Sequence, residues 1–264
     1  MRMLMFLSLL GIAVLFLGCG NQQQAAPTPA QPPAGQGNLV DGQYQAQFSA
    51  FDPRGWRPFM NMTVSGGRIT EVQFDYVNAA GALKSQDAAY NQRMAAVSGT
   101  DVSRFVVAAA DALVQTQQAP IDTITGATTS TVNFNALASP LLTQAVAGNR
   151  GQVVVPMDGI YAAETQPDQR GWIARLELQF QNDRIVAARY DEIQRDGNTI
   201  TARKSEDTAY GERWGQDVPQ LYQGWADALV ASQNPSAVDS VSGATSAHNK
   251  FVELAQRIIQ NRGN

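Results

Sequence analysis

The chain has 264 residues, 44% hydrophobic and 16% charged, with a net charge of −4. That is enough for two small domains, and an acidic chain without a basic run argues against a nucleic-acid surface. A single cysteine, Cys19, and a single histidine, His248, exclude disulfides, CxxC pairs, CxxCH haem attachment and cysteine-ligated iron–sulfur or zinc centres within the chain. Electron chemistry would need a cofactor held by neither residue type.

The first nineteen residues, "MRMLMFLSLLGIAVLFLGC", carry one positive charge, Arg2, and an apolar run from Leu4 to Leu17. That run is short for a membrane span and has the proportions of a signal-peptide core; the competing reading is a core helix with a buried thiol. Gly18-Cys19 resembles the lipobox of bacterial lipoproteins, although Phe16 and Leu17 stand where that motif usually has Leu and a small residue. The resemblance implies that 1–19 is a signal peptide and that Cys19 bears lipid on the mature chain. Two or more acyl chains there would hold the protein stably on the extracytoplasmic face of the cell membrane. Residues 20–40, rich in Pro, Gln and Gly, read as a tether reaching up to roughly 60 Å.

From residue 41 onward the chain is written twice. "DGQY" at 41–44 returns as "DGIY" at 158–161, "RGW" at 54–56 as "RGW" at 170–172, and "KSQDAAYNQRM" at 84–94 as "KSEDTAYGERW" at 204–214. The offsets run from 116 to 120, which gives two homologous domains, 41–150 and 151–264, with a seam near 147–152. In each copy an alternating run, "MNMTV" or "LELQF", leads through a two-residue turn into a second, "ITEVQFDY" or "IVAARYDE". Helical spacing follows. Val102, Phe105, Val106, Ala109 and Leu113 form a stripe behind the N-cap Asp101, and Val218, Leu221, Tyr222, Trp225 and Leu229 form one behind Asp217. Last helices carry Phe134, Leu137, Leu141 and Leu142, matched by Phe251, Leu254, Ile258 and Ile259. Strands first and helices afterwards make each copy an α+β domain, a small antiparallel sheet packed with helices.

The turn before each last helix reads "DTITGATTS" at 122–130 and "DSVSGATSA" at 239–247. One reading is a capped turn, with Asp, Ser and Thr accepting from free helix N–H groups and Gly126 and Gly243 supplying a permissive backbone. The other is a phosphate site, because a helix N-terminus favours an anion and Gly-Ala leaves room beside Thr128 and Thr245.

Asp122-x-x-Thr125-Gly126-Ala127-Thr128 and Asp239-x-x-Ser242-Gly243-Ala244-Thr245 resemble the flavinylation motif of FMN-binding domains. These domains occur in the C subunit of the Na⁺-pumping NADH:quinone reductase and the G subunit of the Rnf complex. Lipobox, tether and tandem copies together are similar to the flavinylated pheromone-precursor lipoproteins of Gram-positive extracellular electron transfer. The resemblance covers about 41–264 and implies two FMN groups, each joined by a phosphoester to Thr128 or Thr245. It implies as partners a Mg²⁺-dependent flavin transferase that uses FAD, a membrane donor such as a quinol or NADH dehydrogenase system, and extracellular electron acceptors. Asp122 and Asp239 would recognise or orient the acceptor hydroxyl. The protein would be an electron carrier with no catalytic residues and no metal site of its own. The alternative is a lipid-anchored binding or antigen module with a noncovalent ligand or none.

Other repeated residues admit two readings each. Trp56 and Trp172 stack on a flavin ring or simply pack; Lys84 and Lys204 offset charge on a reduced flavin or precede helix caps at Ser85 and Ser205. Tyr90 and Tyr210 read as packing residues, and His248 as an exposed first-turn residue.

Overall fold

The computed structural model describes residues 39–263; the signal-like run, Cys19 and the tether as far as residue 38 lie outside the described residues. Alternation builds the first sheet. β1 (Gly42–Phe48) turns Tyr44, Ala46 and Phe48 inward, and β2 (Arg57–Ser65) does the same with Met60, Met62 and Val64. β3 (Arg68–Val77) returns antiparallel through Gly66-Gly67, both left-handed at φ 61° and 73°. That is the geometry a two-residue hairpin turn demands. Asp41, the first residue of the repeated "DGQY", accepts the N–H groups of Gly66 and Gly67 at 3.0 and 2.8 Å. Those two bonds, Gly67 before Gly66, hold its carboxyl below the usual range.

The second copy repeats the plan with β5 (Gly159–Glu164), β6 (Ile173–Gln181) and β7 (Arg184–Asp196). Its turn, Asn182-Asp183, takes positive φ without glycine, at 49° and 59°. Tyr76 to Glu192 is an offset of 116 and Lys84 to Lys204 one of 120. The four added residues lengthen β7 and create a further strand, β8 (Thr199–Arg203), antiparallel to it. The sheets run β3-β2-β1-β4 and β5-β6-β7-β8. β4 (Val153–Val155) comes from the seam and pairs parallel with β1, so the first sheet borrows its edge from residues just past 150.

Helices cover one face of each sheet: α1 (Ala88–Ser98), α2 (Val102–Thr116) and α3 (Thr128–Ala147), then α4 (Thr208–Trp214), α5 (Val218–Ser232) and α6 (Thr245–Gly263). The expected stripes face the sheets, with Phe105, Leu113, Phe134 and Leu137 fully buried in one copy and Leu229, Phe251 and Leu254 in the other. Ile259 departs from its stripe and is 36% exposed, one helical step round from the buried Ile258. Asp101 and Asp217 cap α2 and α5 as expected, accepting from Arg104 and Gln220 N–H. Ser85 and Ser205 do not cap α1 and α4. Asp87 and Asp207 do, and the lysines begin short 3-10 turns at Lys84–Gln86 and Lys204–Glu206.

Both copies belong to one compact unit. Arg262, near the end of α6, donates to Met157 O and Asp183 Oδ1 at 2.6 Å each and lies 4.2 Å from the Phe180 ring centroid. Asp183 in turn accepts from Ser49 of the first copy at 2.5 Å, and the Tyr161 hydroxyl donates to Phe51 O at 2.7 Å. Among the described residues no helix is long and apolar enough to cross a membrane.

Candidate functional site

Each repeated motif folds as a tight turn followed directly by a helix. Ala127 N–H donates to Ile124 O and Ala244 N–H to Val241 O, both at 3.0 Å, around Gly126 (φ 78°) and Gly243 (φ 85°). A Cβ on Gly126 would lie 2.2 Å from Ser98 O, so glycine there serves both the turn and the close approach of α1. Gly243 is roomier, with Gln216 Nε2 3.7 Å away.

Thr128 and Thr245 are the first residues of α3 and α6, and both are exposed. The capped-turn reading fails for the first copy: the N-cap of α3 is Ala127, and no side chain takes the N–H groups of its first turn. Asp122, Thr125, Asp239 and Ser242 are also exposed. Neither Asp122 nor Asp239 makes a hydrogen bond among the described residues, so neither orients the neighbouring threonine hydroxyl within the folded chain.

The two turns are pinned differently. In the first copy buried Thr131 accepts from Ile124 N–H at 3.2 Å and donates to Ala127 O at 3.1 Å. His248 takes that place in the second. It is half-buried rather than exposed, with Nε2 2.8 Å from Val238 O and its ring edge-to-face with Trp225 at 5.4 Å. A carbonyl partner requires a proton on Nε2.

The residues with two readings gather beside these turns. Lys84 is 7% exposed, with Nζ 4.5, 4.8 and 5.7 Å from the ring centroids of Tyr90, Tyr76 and Trp56. Tyr76 in turn accepts at 3.4 Å from Asn133 and touches Ser130, both in the first turns of α3. Burial, ahead of the Ser130 and Asn133 bonds that oppose it, pushes the Tyr76 hydroxyl up. Lys204 repeats the arrangement against Trp172 at 5.2 Å and Tyr210 at 5.0 Å. It also pairs with Glu192, which accepts from Lys250 of α6 at 2.9 Å. Lys204, Tyr210, Glu192 and Lys250 line a small open cleft of ≈ 150 Å³ together with Gly243, Ala244, Ser246 and Tyr222.

Sequence reasoning missed what positions the lysines. Ser85 N–H and Oγ bind the Asp75 carboxylate at 3.2 and 2.5 Å, and Ser205 binds Asp191 at 3.2 and 2.6 Å. "FDY" lies near the end of β3 and "YDE" within β7, where runs of three and four consecutive buried residues break the strand alternation. Lys250 and Glu192 also went unnoticed, since the first copy has Asn133 and Tyr76 in their places, and Tyr222 was read only as a stripe residue.

Fold and site together define a protein of two tandem α+β domains, each with a buried lysine among aromatic rings and an exposed threonine at the start of its last helix, and with a cleft at the lysine of the second copy. Over 118 residues the chain is 35% identical to the 15 kDa lipoprotein of Treponema pallidum, covering 44% of this chain and 84% of that protein. The chain belongs to the family of that lipoprotein. The crystal structure of a Clostridium perfringens protein is similar at 33% identity and a TM-score of 0.44, over 45% of this chain and 98% of the other. A solution structure from Clostridium thermocellum is similar at 24% identity and a TM-score of 0.28, over 39% and 90%. No family model matches the chain.

Proposed function

We propose that the protein is a lipid-anchored, extracytoplasmic module that carries one FMN on Thr128 and another on Thr245, as an electron carrier. The kinship with a Treponema lipoprotein supports the anchored class, with Cys19 as the lipidated residue. The observation that carries the flavin reading is the placement of each exposed acceptor threonine beside a buried lysine ringed by aromatic side chains. The groups present fit FMN. Uncapped N–H groups at the start of α3 suit a phosphoryl group, and aromatic faces with an ammonium suit a flat ring that gains negative charge. Bound flavin would supply one- and two-electron transfer. The chain's own part is to hold the phosphoester at a helix start and to present a cation to the ring. Asp122 and Asp239, free in solvent, are left for the flavin transferase to read from outside.

The family kinship favours a second reading more directly: a lipid-anchored surface binding or antigen module without flavin, since the Treponema relative is named simply as a lipoprotein. Co-expression with and without a flavin transferase separates the two. The carrier gains two FMN masses by intact mass spectrometry and a fluorescent band on a denaturing gel under blue light. An unmodified chain supports the second reading.

A further inference from the structure

We infer that the two lysine sites are tuned apart, the first copy being the better host for negative charge and the second the poorer one, so that electrons collect in the first. This rests on the flavin reading. Lys84 and Lys204 occupy matching places, each at the head of a 3-10 turn clamped by an Asp–Ser pair and each facing a tryptophan and a tyrosine. One register position decides the difference. The residue after the clamping aspartate is Tyr76 in β3 and Glu192 in β7. Lys84 is therefore a buried ammonium with only aromatic faces around it, and no hydrogen bond or ion pair holds it among the described residues. An aromatic face compensates a cation only in part, so this site keeps a net attraction for an anion.

Lys204 already has its anion. Glu192 is 1% exposed and pairs with both Lys204 and Lys250. These replacements leave the formal charge the same at the two lysines, since Lys250 replaces Asn133 where Glu192 replaces Tyr76. The charges are not equally screened. The Lys250 side chain is 25% exposed against 1% for Glu192, so water weakens the added cation more than the added anion. The remaining acids match: Asp52 and Asp168 each spend Oδ1 on two backbone N–H groups of their own loop. Arg203, at the edge of the second cleft, is drawn to Asp191 and Glu206.

The test uses the full chain loaded by a flavin transferase, with Thr245→Ala leaving only the first flavin and Thr128→Ala only the second. In a spectroelectrochemical titration, dithionite supplies two electrons and the medium one proton, leaving one negative charge on the reduced ring. The first-copy flavin is expected at the more positive midpoint potential. Lys84→Met should shift it negative, and Glu192→Gln should shift the second flavin positive, which keeps the test open if Lys84→Met does not fold. Equal midpoints, the reverse order, or no shift with either variant would overturn the tuning while leaving flavin attachment intact. Absence of flavin by intact mass would overturn the flavin reading and the tuning with it.

Discussion

Two glycines at the same motif position bear unequal loads. Gly126 combines a positive φ with a would-be Cβ contact of 2.2 Å to backbone, whereas Gly243 has a positive φ and open space. Gly126→Ala is expected to cost about 3 kcal/mol and Gly243→Ala about 1 kcal/mol, measured as urea-midpoint shifts. Equal losses would mean that the contact with Ser98 is not tight. Thr128 asks a chemical question at the same scale. On the proposed flavin attachment, Thr128→Ser keeps a hydroxyl and should keep the modification, while Thr128→Ala should lose one FMN mass with little change in folding, because the exposed side chain caps nothing among the described residues. Peptide mapping that put the modification on Thr129 would refute the assignment.

Strand ends and the short turns after them act as units. Asp75 and Asp191 each hold the serine that follows a cleft lysine, so they position Lys84 and Lys204 without lining the acceptor turn themselves. Asp191→Asn replaces a charged acceptor by a neutral one and should cost about 2 kcal/mol, read from chemical denaturation. The variant should also shift the potential of the second flavin while Thr245 stays modified. Such a split separates a positioning role from general unfolding. Much of this element was legible beforehand. The repeat placed Lys-Ser at one offset in both copies, but spacing could not say that the serine faces back to a strand rather than capping a helix.

The two copies are docked through a joint of few residues. Burial works to raise the Asp183 carboxyl, and the Ser49 hydroxyl and Arg262 guanidinium outweigh it, holding the group below its ordinary value. A depressed folded pKa gives stability that is full above about pH 4 and is lost as pH falls through the folded value. Acid unfolding of the wild type should therefore show a component that Asp183→Asn lacks. Arg262→Ala should cost on the order of 2 kcal/mol, less than a fully buried pair because 38% of the Asp183 side chain is exposed. Calorimetry should then show two transitions, one per copy; a single unchanged transition would mean that the remaining contacts, the β1–β4 pairing and the Tyr161–Phe51 bond among them, suffice to couple them.

The sequence by itself determined the duplication, the α+β class, the hairpins, the helix stripes and the N-caps Asp101 and Asp217. All of these follow from local periodicity and from turn and cap chemistry within a few residues. It also pointed to the GAT turns and, as open alternatives, to Trp56, Lys84, Tyr90 and their partners. Only the tertiary structure decided that these residues gather near the start of α3, since α3 begins far along the chain from β3 and the lysine turn and meets them through packing. It alone revealed that His248 pins its turn and that β4 joins the first sheet. The pairing of Glu192 with Lys250 was equally hidden, because the two stand 58 residues apart. One strand register and one helix face bring them together.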